Sequence, residues 1–169
     1  MPSFARPLAL VALAFAAVSA PVSAQKTDST GARLRVTQKN VTAAAETPGG
    51  TPRTEARPGD VIRYTITLSN PSTRAVKVAS ITDGIPAGMR LILGSARASR
   101  ADARLEFSID SGHTWGAEPT ETVIANGQQV ERAVSPGRYT DLRWVLAKPL
   151  AARETVTAEF SARVIDGGK

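Results

Sequence analysis

The 169-residue chain has no cysteine, a single histidine and only eight aromatic side chains (two Trp, two Tyr, four Phe). The missing cysteine excludes disulfides, a thiol nucleophile, thiolate metal sites and a lipidated cysteine anchor. One His and no Cys also leave too few ligands for an ordinary zinc site. That residue, His113, stands in a polar stretch with no G-x-S-x-G elbow anywhere in the chain, so a Ser-His-acid triad has no sequence support. No window shows an amphipathic helix capped at both ends, and no segment recurs, so the reading is one domain built from strands.

What is present begins with an export signal. Arg6 supplies a positive start, Leu8 to Val18 is an uncharged apolar run, and Val22-Ser23-Ala24 offers small residues for cleavage, so residues 1–24 read as a cleaved signal peptide. The apolar run falls short of the roughly 20 residues a spanning helix needs, so no membrane span is expected after cleavage. A periplasmic or extracellular location follows. Residues 25–32 are polar and expected to be disordered, 33–166 form the domain, and 167–169 are a tail.

Period-two alternation dominates that domain. The clearest run sets Ile62, Tyr64, Ile66 and Leu68 against Arg63, Thr65, Thr67 and Ser69, the pattern of a strand with one buried face. It is entered through Pro58-Gly59-Asp60, which fits a type II turn, and left through Asn70-Pro71-Ser72, where Asn70 can close a turn with its own side chain. Two later runs alternate as cleanly: Leu142, Trp144 and Leu146, then Val156, Ala158, Phe160, Ala162 and Val164. A Pro/Gly/Thr-rich loop covers 46–58, and 98–138 reads as an insertion containing a hairpin. The expected fold is an all-β, immunoglobulin-like sandwich of seven to nine mostly antiparallel strands.

At RPGDVIRYTITLSNPSTRAVKVASITDGIPAGM, residues Arg57 to Met89, the chain resembles a family of secreted bacterial modules known as the conserved repeat domain, or domain of unknown function eleven. The features that carry the resemblance are Pro58, Gly59 and Asp60 at the strand entry, Tyr64 within the strand, Asn70 at its end, and Asp83 followed by Pro86 and Gly88. The resemblance implies an immunoglobulin-like sandwich of the cell surface and supplies no catalytic residues. This chain departs from the pattern in its single copy and in the long stretch 98–138.

Within that stretch, FSIDSGHTWG (Phe107 to Gly116) matches S-x-D-x-G-x-T-W at every defined position, and resembles the Asp-box of sialidases and related propellers. Such a box is a turn device: the carboxylate accepts backbone N–H groups, Gly112 frees the backbone, and Trp115 can plug the turn from below. One copy cannot make a propeller, which needs about four blades. Ser108, Asp110, His113 and Trp115 are therefore read first as a folding element and second as a contact surface. Calcium at Asp110 or Asp83-Gly84 lacks the array of oxygen ligands it needs in one loop, so no metal, cofactor or catalytic residue is assigned.

The net charge of +6 is carried by basic residues scattered along the sequence. A basic surface attracts polyanions, but no basic stripe interleaves with aromatics, so no specific nucleic-acid partner is expected and the charges read as a solvated face. Two functions follow. The first is an exported, monomeric, non-enzymatic structural or interaction module whose partner is an envelope protein or a surface polymer. The second is a carbohydrate-binding module using the Asp-box hairpin and Trp115.

Overall fold

A computed structural model of the chain describes residues 31–78 and 80–165. The stretch expected to be a signal peptide, the polar stretch up to residue 30 and the tail expected at 167–169 lie outside the described residues. Gly31 and Ala32 fall within them, and Ala32 packs against the core, so the stretch expected to be disordered is ordered at its end. No helix among the described residues is long and apolar enough to cross a membrane.

Ten strands and two short helical segments follow in order: β1 (Arg33–Asn40), α1 (Val41–Glu46), β2 (Val61–Ser69), β3 (Ser80–Gly84), β4 (Met89–Leu91), β5 (Arg97–Ala98), β6 (Ala103–Ser108), β7 (Thr120–Ala125), β8 (Gln128–Ala133), a 3-10 turn at Pro136–Arg138, β9 (Asp141–Leu146) and β10 (Thr155–Val164). They make an immunoglobulin-like sandwich. One sheet has the order β1-β2-β10-β4, with β5 also paired to β10; the other has the order β3-β9-β6; β7 and β8 form a separate hairpin. Every pairing is antiparallel.

The alternation read from the sequence decides what lies between the sheets. Ile62, Tyr64, Ile66 and Leu68 of β2 meet Val156, Ala158, Phe160 and Ala162 of β10 on one wall, while Ile81, Leu142, Trp144 and Leu146 form the other. Tyr64 stacks on Phe160 with ring centroids 4.8 Å apart. Trp144 and Phe160 are fully buried, and burying a large side chain of this kind contributes about 1.5–3 kcal/mol.

Three expectations need correcting. The first is α1, where a helix was not anticipated: Asn40 ends β1 and its Oδ1 accepts the Ala43 N–H at 2.9 Å, so a strand turns directly into one capped helical turn. The second is β3: the stretch Asp83 to Gly88 is expected from its sequence to be a compact loop, yet the strand runs through Asp83 and Gly84, because they pair with Leu142 and Asp141. The third concerns 98–138. β5 and β6 are integral to the sandwich, with β6 supplying one edge of the smaller sheet, and only the segment from Ile109 to Ser135 stands outside it. With the two-residue β5, the described residues hold ten strands, one above the upper end of the expected seven to nine.

Candidate functional site

The Asp-box hairpin hangs from the end of β6. Phe107 and Gly116 exchange backbone hydrogen bonds of 2.8 and 3.0 Å, which closes the loop. Inside it the buried Ser108 is the hub. Its hydroxyl accepts the Asp110 and Gly112 N–H groups at 3.2 and 2.9 Å and donates to Asp110 Oδ1 at 2.7 Å. Asp110 completes the ring: Oδ1 accepts the Thr114 N–H at 2.8 Å and Oδ2 accepts the Thr114 hydroxyl at 2.6 Å.

The backbone must pass through the left-handed region twice, at Ser111 (φ 58°) and Gly112 (φ 83°). At Gly112 a Cβ would stand 3.2 Å from Trp115 Cζ2, so the glycine supplies both the conformation and the room for the indole. Trp115 Nε1 donates to the Gly112 carbonyl at 2.9 Å. Over the ring, 4.4 Å from its centroid, lies the Arg143 guanidinium, which is itself held by Glu106 at 2.7 Å. Exposed His113 turns Nδ1 back to the Asp110 carbonyl oxygen.

The electrostatics point away from acid catalysis. Hydrogen bonds from the Thr114 hydroxyl and amide, then from Ser108, hold the Asp110 carboxyl well below the usual carboxylate range. A general acid for glycoside cleavage requires the opposite shift. Glu106, paired with Arg143 and Arg104, is lowered as well. Among the described residues no group of three or more His, Cys, Asp or Glu side chains is placed to hold a metal ion. Beside Trp115 an open cleft of about 210 Å³ runs between Phe107, Ile109, Glu118 and Pro119.

The residues of the family resemblance gather elsewhere. Pro58 and Gly59 form a turn closed by the Asp60 N–H on the Arg57 carbonyl at 3.0 Å, with Gly59 at φ 90°. This turn meets the end of β10 through Gly59 N–H to Val164 O, 2.9 Å, and Val164 N–H to Asp60 O, 2.8 Å. The Pro86–Met89 turn, with Gly88 at φ 76°, joins the same end, where Gly88 O accepts the Ile165 N–H at 2.9 Å. Tyr64 reaches Met89 Sδ with its hydroxyl at 3.2 Å, and Asp83, half-buried on the Ile81 face of β3, lies near it. Asn70 sits alone at the other end of β2, buried, where its amide donates to the Arg74 and Ala151 carbonyls at 2.7 Å and its oxygen accepts the Ser72 N–H at 3.0 Å. These residues make turns and core contacts.

No family model and no curated protein matches the chain. Among solved structures the chain is similar to two of the pilus protein RrgB from Streptococcus pneumoniae. With its pilus backbone structure it shares 14% identity and a TM-score of 0.33, over 81% of this chain and 47% of that one. With the full-length structure it shares 15% identity and a TM-score of 0.34, over 78% of this chain and 20% of the other. The chain thus spans about half of the first and a fifth of the second. The functional argument rests on this chain's own residues.

Several of those residues were not singled out by their sequence. Arg53 clamps Asp60 through Nη1 and Nη2, each at 2.6 Å, and Asn40 adds a third bond at 2.7 Å. This cluster holds the Thr47–Arg57 loop to the start of β2 and drives the Asp60 carboxyl well below its ordinary range, chiefly through Arg53. Arg143, Glu106 and Thr140 complete the hairpin's seat: Thr140 Oγ1 accepts the Ser111 N–H at 3.0 Å, and the Thr140 N–H donates to Ser108 O at 2.9 Å. The signal for the first pair was outward placement on alternating strands. Only the register, Glu106 opposite Arg143, shows that they meet.

Proposed function

We propose that this chain is an exported, non-enzymatic structural or interaction module of the bacterial cell envelope, built on the plan of the conserved repeat domain it resembles. The observation that carries this reading is that the Asp-box turns its polar groups inward. Both oxygens of Asp110 and the hydroxyls of Ser108 and Thr114 are engaged within the turn, and the Trp115 indole is bonded to the turn and covered by Arg143 on one side. A sugar-binding platform needs those groups available.

The contact surface suited to a partner protein is an edge. Among the described residues β1 pairs only with β2, which leaves one side of an eight-residue strand without a ladder partner. Free edges of this length either carry protection or accept a strand.

Two measurements test the proposal together. A photo-cross-linker at Thr37 in β1 should capture one discrete envelope protein in living cells, while the same group at His113 captures none. Trp115→Ala should lower the melting temperature by several degrees, as a lost turn plug does, and the native protein should show no selective binding on an array of neutral glycans. Sugar binding that Trp115→Ala abolishes at an unchanged melting temperature would replace this reading with a carbohydrate-binding module.

A further inference from the structure

We propose that the outer face of the five-stranded sheet is a binding site for an anionic polysaccharide. This site is separate from the hairpin and does not depend on the partner reading above. Basic residues that look scattered in the sequence converge here, because alternation sends every second side chain of a strand to the same side. Arg33, Arg35 and Lys39 of β1, Arg63 of β2, Arg163 of β10 and Arg90 of β4 all occupy this face and are exposed. The chain neighbours Ile62, Ala162 and Leu91 of Arg63, Arg163 and Arg90 point into the core.

Compensation is missing. The one carboxylate that the described strands place on this face is Glu159, and it is paired with its neighbour in register, Arg97 of β5. The register sets Lys39 directly opposite Arg63 and Arg163 directly opposite Arg90. Like charges facing each other across an antiparallel pair are destabilising. Arg163 donates to the Gly59 carbonyl at 2.9 Å and Arg90 lies against the backbone at Gly137, contacts that leave both charges in place. The outer face of the smaller sheet is built the other way: Glu106 stands between Arg104 at 3.0 Å and Arg143 at 2.7 Å. Like charges set opposite one another on this face, beside a smaller sheet whose charges are paired, mark it as a functional surface.

The chemistry of the face selects the ligand. Guanidinium groups take carboxylates or sulfates through paired hydrogen bonds. Between them stand hydroxyls such as Thr65, Thr67 and Thr157, which exchange hydrogen bonds with sugar hydroxyls. Side chains on one face recur about 7 Å apart along a strand and about 4.8 Å across strands, a grid over which an extended charged polymer can lie. No aromatic side chain of the described strands lies on this face, so it lacks both the stacking platform of single-stranded nucleic-acid binders and the anchors of a membrane-interface surface. The twist of the sheet also rounds the face, so a flat bilayer would meet only part of it.

The test titrates purified protein with alginate, a linear polyuronate. Binding should be measurable at low ionic strength and weaken as sodium chloride is added, with no binding to neutral dextran. Arg63→Glu/Arg163→Glu turns both like-charge pairs into opposite pairs. It should lower alginate affinity by roughly tenfold or more and flatten its salt dependence, while the melting temperature holds or rises. Arg132→Glu/Lys148→Glu changes net charge by the same amount on other surfaces and should leave affinity within about twofold. Equal losses in the two variants would show that net charge alone is at work and overturn the site. Phosphatidylglycerol vesicles or duplex DNA binding as tightly as alginate, with the same dependence on Arg63 and Arg163, would overturn the assignment to a polysaccharide.

Discussion

Asp83 shows what single residues do at the end of the sandwich where most of the resemblance motif collects. Burial pushes its carboxyl pKa up, and the nearby Asp141 adds to the rise, while one hydrogen bond from the Gly84 N–H at 3.0 Å opposes it. A raised pKa in the folded state means that unfolding favours the ionised form. The stability Asp83 supports is complete below its unfolded pKa of about 4 and is lost as pH rises through the folded value. Asp83→Asn keeps an oxygen for the Gly84 N–H and removes the charge. It should therefore raise the melting temperature at pH 7, with the gain vanishing below about pH 4, as followed by thermal melts across that range. Asp60 carries the opposite sign: its lowered carboxyl stabilises the fold above about pH 4 and loses that contribution in acid. The sequence shows Asp60 and Asp83 as turn residues of one motif. Their opposite titration was not legible there, because it depends on Arg53 reaching one and on burial beside Asp141 for the other.

Among the elements, α1 has no counterpart in the sequence pattern. Six residues are too few to form a stable helix on their own. This turn exists because Asn40 serves two elements at once, capping the Ala43 N–H through Oδ1 and donating to Asp60 through Nδ2. Asn40→Ala should then cost about 1–3 kcal/mol in urea unfolding, more than a surface cap alone. A loss of under about 0.5 kcal/mol would mean that the Asp60 cluster holds without it. Strands were far more legible. β2, β9 and β10 were each readable as period-two runs because one face of each is buried throughout. Of the short strands, β5, two residues held by β10, was not, whereas β7 and β8 are legible as short β segments around Thr122 to Ile124 and Gln129 to Val134, on either side of Asn126-Gly127, both at positive φ, which suits a two-residue turn. The hairpin at Ser108–Trp115 was readable as a folding element, whereas its seat on Arg143 and Thr140 depends on residues about 30 positions away.

At the scale of the whole molecule, β10 is the strand that joins the larger sheet. It pairs with β2 along nine residues, with β4 at one end and with β5 in its middle. Its contribution to the core includes Phe160, which no other strand replaces. A chain ending at Pro149 should show no cooperative thermal transition, and adding a synthetic peptide of residues 150–165 should restore one. A cooperative melt in the shortened chain alone would place the core elsewhere. The same feature bears on the order of events in the cell. During synthesis β2 emerges almost ninety residues before its central partner, and closing a loop of that length delays pairing until β10 is free of the ribosome. A sheet whose central strand arrives so long after its partner stays open for that interval, and the apolar faces of β2 and β9 wait uncovered for Phe160 and its neighbours.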